Sequence, residues 1–297
     1  MSAPALRHPA LKWLYNHNPF YFISALLMLY SVRTAYGELR IGYINTWIMM
    51  GVLAGYTALL ATIGVLIVRR GKVWEDARSI LVTLLLLFLA VSVSADDLFA
   101  TIESKFDGGL LLVCGYLFCA LVTETVLRGA RIRLPWQYRL PLHLMLVLFY
   151  VAPWWCSPEL HPRSVAELEW SIFLFPVAAA AILLSLWPAV RRGPALVAEN
   201  GTPWSWPMFP WSAFALVIVA VVLRTFALCM TFGPTGPIWI PASSGNFLIS
   251  FDTMWGPYFL VPIAFALLIL FLEGSVVTGR IPMPVPHRFS PRTLPAQ

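Results

Sequence analysis

Leu81-Val-Thr-Leu-Leu-Leu-Leu-Phe-Leu-Ala-Val-Ser-Val93 decides the fold class. The run carries no charge and no alternation of period two, so it does not read as a barrel strand. A segment of this kind buries every side chain at once, and lipid lets it do so while helical hydrogen bonds satisfy its backbone. The rest of the chain agrees. Residues of the AVILMFWYC set make up 59% of the 297 positions and charged residues 11%, against roughly 25% charged in an average soluble domain. Mean hydropathy is +0.77. A soluble domain of this size could not cover so much apolar surface, which excludes soluble, disordered, collagenous and disulfide-knotted classes.

A bilayer core of about 30 Å accepts roughly 20 residues of helix at 1.5 Å each. Eight segments reach that length with their flanks, near residues 15–34, 44–68, 79–97, 108–127, 138–155, 169–189, 211–232 and 255–276. The expected fold is therefore all-α, a polytopic transmembrane helix bundle of about eight spans. Residues 1–279 read as a single transmembrane domain and 280–297, with five prolines, as an extended tail. The first segment also resembles a signal-peptide core. Arg33 follows it at once, and no small-x-small cleavage site precedes Tyr36, so it is expected to be retained.

Basic residues fix the expected orientation. Arg7, Lys12, Arg69, Arg70, Lys72, Arg78, Arg128, Arg131, Arg133, Arg139, Arg191, Arg192, Arg280, Arg288 and Arg292 fall on one side of the scheme. Only Arg33, Arg40, Lys105 and Arg163 fall on the other. By the positive-inside rule both termini are cytoplasmic, in a plasma or inner membrane. The net charge of +6 then describes a belt facing anionic headgroups. No basic stretch is interleaved with aromatics, so no nucleic-acid partner is expected. The expected partners are the lipid bilayer and other membrane subunits.

Organisation within the bundle offers two features. Val68-Arg-Arg-Gly71 and Val190-Arg-Arg-Gly193 repeat at the offset that also separates Pro19 from Pro141, consistent with two related four-helix halves or with the topology rule alone. The segment Gly233 to Met254 lacks Lys and Arg but holds Trp239, Ile240, Phe247 and Phe251. It reads as a loop lying on the membrane face or folded over the bundle as a lid.

No P-loop, GxGxxG, HExxH, GxSxG or CxxC motif occurs. Only His143 among the histidines enters a span, so neither a metal nor another cofactor is expected, and no catalytic residue can be assigned. Ionisable residues inside spans cost about 2.5–3.5 kcal/mol each on the insertion scale, which makes them the place to seek function. Arg224, among Val221, Val222, Leu223 and Phe226, is the foremost case. Its candidate partners on the less basic side are Asp96, Asp97 and Asp252, with Arg33 as a further candidate there. An Arg224 ion pair with Asp96 or Asp97 would lock two helices; alternatively the arginine binds an anion or headgroup. Glu124 and Glu273 lie one turn inside the basic ends of their spans, with Arg128 placed to pair with Glu124 at i, i+4. Cys156 and Cys229 sit near one surface as candidates for a disulfide.

These features favour a non-enzymatic bundle, transporter-like or a subunit of a larger membrane complex. Two alternatives share its architecture. One is a membrane enzyme on lipid-linked or phosphate-bearing substrates at Arg224 and Asp96/Asp97. The other is a sensor with an apolar lid.

Overall fold

The computed structural model describes residues 43–71, 105–157, 164–199, 208–232, 239–242, 245–248 and 257–279, together with Ile23, Leu27, His161 and Gly201. The expected span near 79–97, nearly all of that near 15–34 and the tail 280–297 lie outside them, as do Arg33, Asp96, Asp97 and Asp252. Five helical segments among the described residues are long and apolar enough to cross a membrane: Met50–Arg70, Phe106–Gly129, Trp136–Cys156, Ala166–Val197 and Val261–Gly279. A shorter apolar stretch runs from Val217 to Phe232.

The helices are α1 (Tyr43–Leu66), α2 (Lys105–Gly129), α3 (Trp136–Cys156), α4 (Val165–Leu184), α5 (Trp187–Arg192), α6 (Met208–Phe232) and α7 (Val261–Gly279). Packing joins α1 to α2 and α2 to α3. Helix α3 also meets α4 and α6, and α7 closes on α4 and α5. The buried face of α4 shows how the core is made. Ile172, Phe175, Ala179 and Leu183 are buried at helical spacing while Trp170, Leu174 and Val177 point outward. Phe175 tilts against Phe149 of α3, and Phe173 meets Phe259 edge-on, with ring centroids 5.4 Å apart.

In lipid the helices gain nothing by hiding apolar surface from one another, so close packing has to hold them. Two glycines of α2 permit it. A Cβ on Gly115 would stand 2.6 Å from the Tyr150 ring of α3, and one on Gly129 would stand 2.6 Å from Val65 of α1. The outward stripe of α2, Phe106, Leu110, Val113, Leu117 and Leu121, is exposed, as a lipid-facing surface must be.

Helix ends follow local chemistry. Ser164 and Glu167 form a capping box at the start of α4. Helix α2 ends in a Schellman motif, with Ile132 N donating to Leu127 O and Arg131 N to Arg128 O. Its left-handed position is held by Arg131 at φ 59°, where glycine is usual and a side chain costs about 1–2 kcal/mol.

The structure adds detail to three expectations. The segment expected at 169–189 lies within the apolar helical stretch Ala166–Val197, which a turn at Ser185–Leu186 divides into α4 and α5. Within the loop Gly233 to Met254 an antiparallel hairpin of β1 (Trp239–Ala242) and β2 (Gly245–Leu248) pairs Ile240 with Phe247, which satisfies part of the backbone of this apolar segment. The two Val-Arg-Arg-Gly copies also differ in backbone. The first is a π turn, Ile67–Gly71, whereas the second closes α5 and enters a 3-10 turn, Gly193–Val197.

Candidate functional site

Arg224 is fully buried, at 0% exposure, between the buried residues Val221, Thr225 and Leu228 of α6. Its Nη2 donates to the backbone carbonyl of Phe149 at 3.2 Å. The reason this carbonyl is available lies four residues on. Pro153 has no N–H and stands inside α3, so the helical partner of Phe149 O is missing. The arginine of α6 fills a vacancy that the proline of α3 creates. Thr225, next to it, satisfies its own hydroxyl on Val221 O at 2.8 Å.

Tyr150 follows Phe149 in α3, and its hydroxyl lies 2.9 Å from Cys119 Sγ of α2. The Tyr150 ring occupies the space that the missing side chain of Gly115 leaves. Consecutive residues of α3 thus tie it to α6 through a carbonyl and to α2 through a phenol. These contacts put a fixed positive charge in the bundle interior, where it attracts an anion or a carboxylate far more strongly than at the surface.

A second polar centre lies at the basic end. Glu124 of α2 accepts from Arg139 Nε at 2.7 Å and from Arg139 Nη2 in a two-pronged pair across the α2–α3 contact. His143 Nε2 lies 2.9 Å from Glu124 Oε1; an ionised carboxylate only accepts, so that nitrogen carries the proton. Arg128, the partner expected from spacing, reaches Glu124 Oε2 at 3.6 Å with its own side chain 80% exposed. Glu273 stands 3.9 Å from Arg191 Nε, linking α7 to the end of α5.

No family model, curated protein or solved structure matches this chain. Among the described residues no group of three or more His, Cys, Asp or Glu converges as a metal site would. Cys156 of α3 and Cys229 of α6, candidates for a disulfide, are both buried.

Sequence reasoning found Arg224, Glu124, Arg128 and Glu273 but missed Arg139, His143 and the Phe149 carbonyl. Signals for these existed. Arg139 and His143 are one turn apart on the span that follows Glu124 after a short connection, which sets them beside it in an antiparallel hairpin. The carbonyl could have been read from Pro153.

Proposed function

We propose that this protein is a non-enzymatic, transporter-like bundle of eight spans, with both termini in the cytoplasm of a plasma or inner membrane, that takes an anionic ligand at Arg224. The observation that carries the reading is the arginine itself, buried in an apolar helix and anchored on the carbonyl that Pro153 leaves open. A charge so placed is costly, and intramembrane charges of this kind mark ligand or ion pathways. The geometry adds a reason to expect mobility, since proline breaks in α3 and α4 at Pro141, Pro153 and Pro176 weaken the helices that flank the arginine.

The orientation is tested by cysteine labelling. Cysteine labels at the exposed positions Arg70, Arg128 and Arg192 should react from the cytoplasm, and labels at Gly109 or Ser244 from outside. A cytoplasmic signal from Ser244 would overturn the scheme.

The activity is tested in liposomes holding the purified protein, with fluxes of phosphate, sulfate, chloride and small carboxylates compared with protein-free liposomes. At least one anion should move faster. That flux, normalised to folded protein, should fall about tenfold or more in Arg224→Gln, as loss of roughly 1.4 kcal/mol of ligand stabilisation implies. Fluxes equal to protein-free liposomes across the series, with a second membrane protein purifying in fixed ratio, would replace this reading with that of a complex subunit.

A further inference from the structure

A cleft of about 410 Å³ opens at the basic end, lined among others by Arg133, Leu134 and Pro135 before α3, by Leu196 of the 3-10 turn, and by Ala198 and Glu199 after it. Its volume suits a small ligand. Its two walls come from distant parts of the chain whose backbones approach each other closely. Gly201, at φ +79°, approaches the carbonyl of Arg131 so closely that a Cβ there would stand 2.1 Å from it.

The cleft presents opposite charges that do not neutralise each other. Among the described residues neither Arg133 nor Glu199 joins an ion pair within 4.0 Å, although both line the same space. A guanidinium and a carboxylate held apart across a small cleft match a ligand bearing an anion at one end and an ammonium at the other. Depth narrows the choice further. Trp136, beside Pro135, is 67% exposed, and Trp187 at the start of α5 is 45% exposed. Exposed tryptophans at helix ends sit at headgroup level in a membrane, and exposed Leu140 continues an apolar track from Trp136 along α3.

The geometry points to a binding site for a phosphoethanolamine headgroup, with the lipid phosphate on Arg133 and the primary ammonium on Glu199. The bidentate match of guanidinium to phosphate sets one end. At the other end a primary ammonium has N–H groups for the carboxylate, whereas the quaternary ammonium of phosphatidylcholine has none. Phosphatidylglycerol carries the phosphate without any ammonium. The site is independent of Arg224, which lies in the bundle interior.

The test is native mass spectrometry of the purified full-length protein in mild detergent with equimolar phosphatidylethanolamine, phosphatidylcholine and phosphatidylglycerol. Phosphatidylethanolamine adducts should exceed each of the others about fivefold, the ratio expected from one partly exposed ion pair. Glu199→Gln should lower them to the phosphatidylglycerol level, and Arg133→Gln should weaken both lipids together. Both side chains are exposed, and an unchanged melting temperature verifies that each variant folds. Equal adducts for the three lipids, or adducts unaffected by either substitution, overturn the site. Displacement of the lipid by equimolar soluble phosphoethanolamine would overturn the lipid assignment in favour of the free compound, at the same two residues.

Discussion

Arg224→Leu should lower the stability of the detergent-solubilised protein by on the order of 3 kcal/mol, as loss of one member of a buried polar contact typically does. Two separable losses contribute. The first is at Phe149, whose carbonyl accepts from Arg224 at 3.2 Å and has no helical donor because residue 153 is proline. Leucine leaves that acceptor dry, at a cost of about 1–3 kcal/mol. The second is the loss of a carboxylate partner, which we propose to be Asp96 or Asp97. Paired substitutions separate the two. Pro153→Ala returns an N–H to α3, so in the Arg224→Leu background it should recover about 1 kcal/mol, the net worth of one hydrogen bond. Arg224→Leu with Asp96→Asn or Asp97→Asn should recover much of the remainder at the true partner. Thermal melts of the single and double variants read both effects. If neither aspartate variant recovers anything, the ion pair does not exist; if Pro153→Ala recovers nothing, the carbonyl contact carries no energy. A stable Arg224→Leu protein that has lost anion flux would confine the arginine's role to the ligand binding proposed above and remove the structural one.

How these contacts could be read beforehand differs from residue to residue. Helix positions were legible because composition forces them. A long apolar run has few alternatives in lipid, so α1, α2, α3, α6 and α7 fall where hydropathy puts them, with ends moved by a few residues. The break at Ser185–Leu186 was hidden because the apolar residues continue through it, and hydropathy does not register a turn that stays apolar. Strands of four residues within Trp239–Leu248 are too short to show a period. Arg224 stood out because a charge among valines is conspicuous, whereas its acceptor is a backbone carbonyl, which no residue letter announces. Pro153 was the indirect sign, through the donor it lacks. At the basic end the rule of i, i+4 spacing pointed to Arg128 on the same helix. The closer partner came from the next helix, because an antiparallel hairpin brings Arg139 and His143 level with Glu124. A pairing rule confined to one helix cannot see across a turn.

That difference in partner yields the other large expected effect. Glu124→Gln should destabilise the protein by about 2 kcal/mol, somewhat below the upper range for hydrogen bonds to charged groups because solvent reaches the cluster. The side chain of Glu124 is 19% exposed and that of Arg139 42% exposed, so the pair is neither dry nor free in water. Glutamine keeps one acceptor and turns the other into an NH₂ that faces the donors of Arg139. It also removes the charge that holds Arg139 and His143 together. Arg139→Gln should cost nearly as much, since it breaks the two-pronged contact between α2 and α3. Arg128→Gln should change stability by no more than about 0.5 kcal/mol, because an exposed pair within one helix contributes little. Melting curves at low and moderate salt make the comparison, and a double-mutant cycle on Glu124 and Arg139 should show coupling of about 1 kcal/mol between them. If Arg128→Gln proves as costly as Arg139→Gln, the intrahelical pair carries the energy. A vanishing cycle would show that the two-pronged contact does not join α2 to α3.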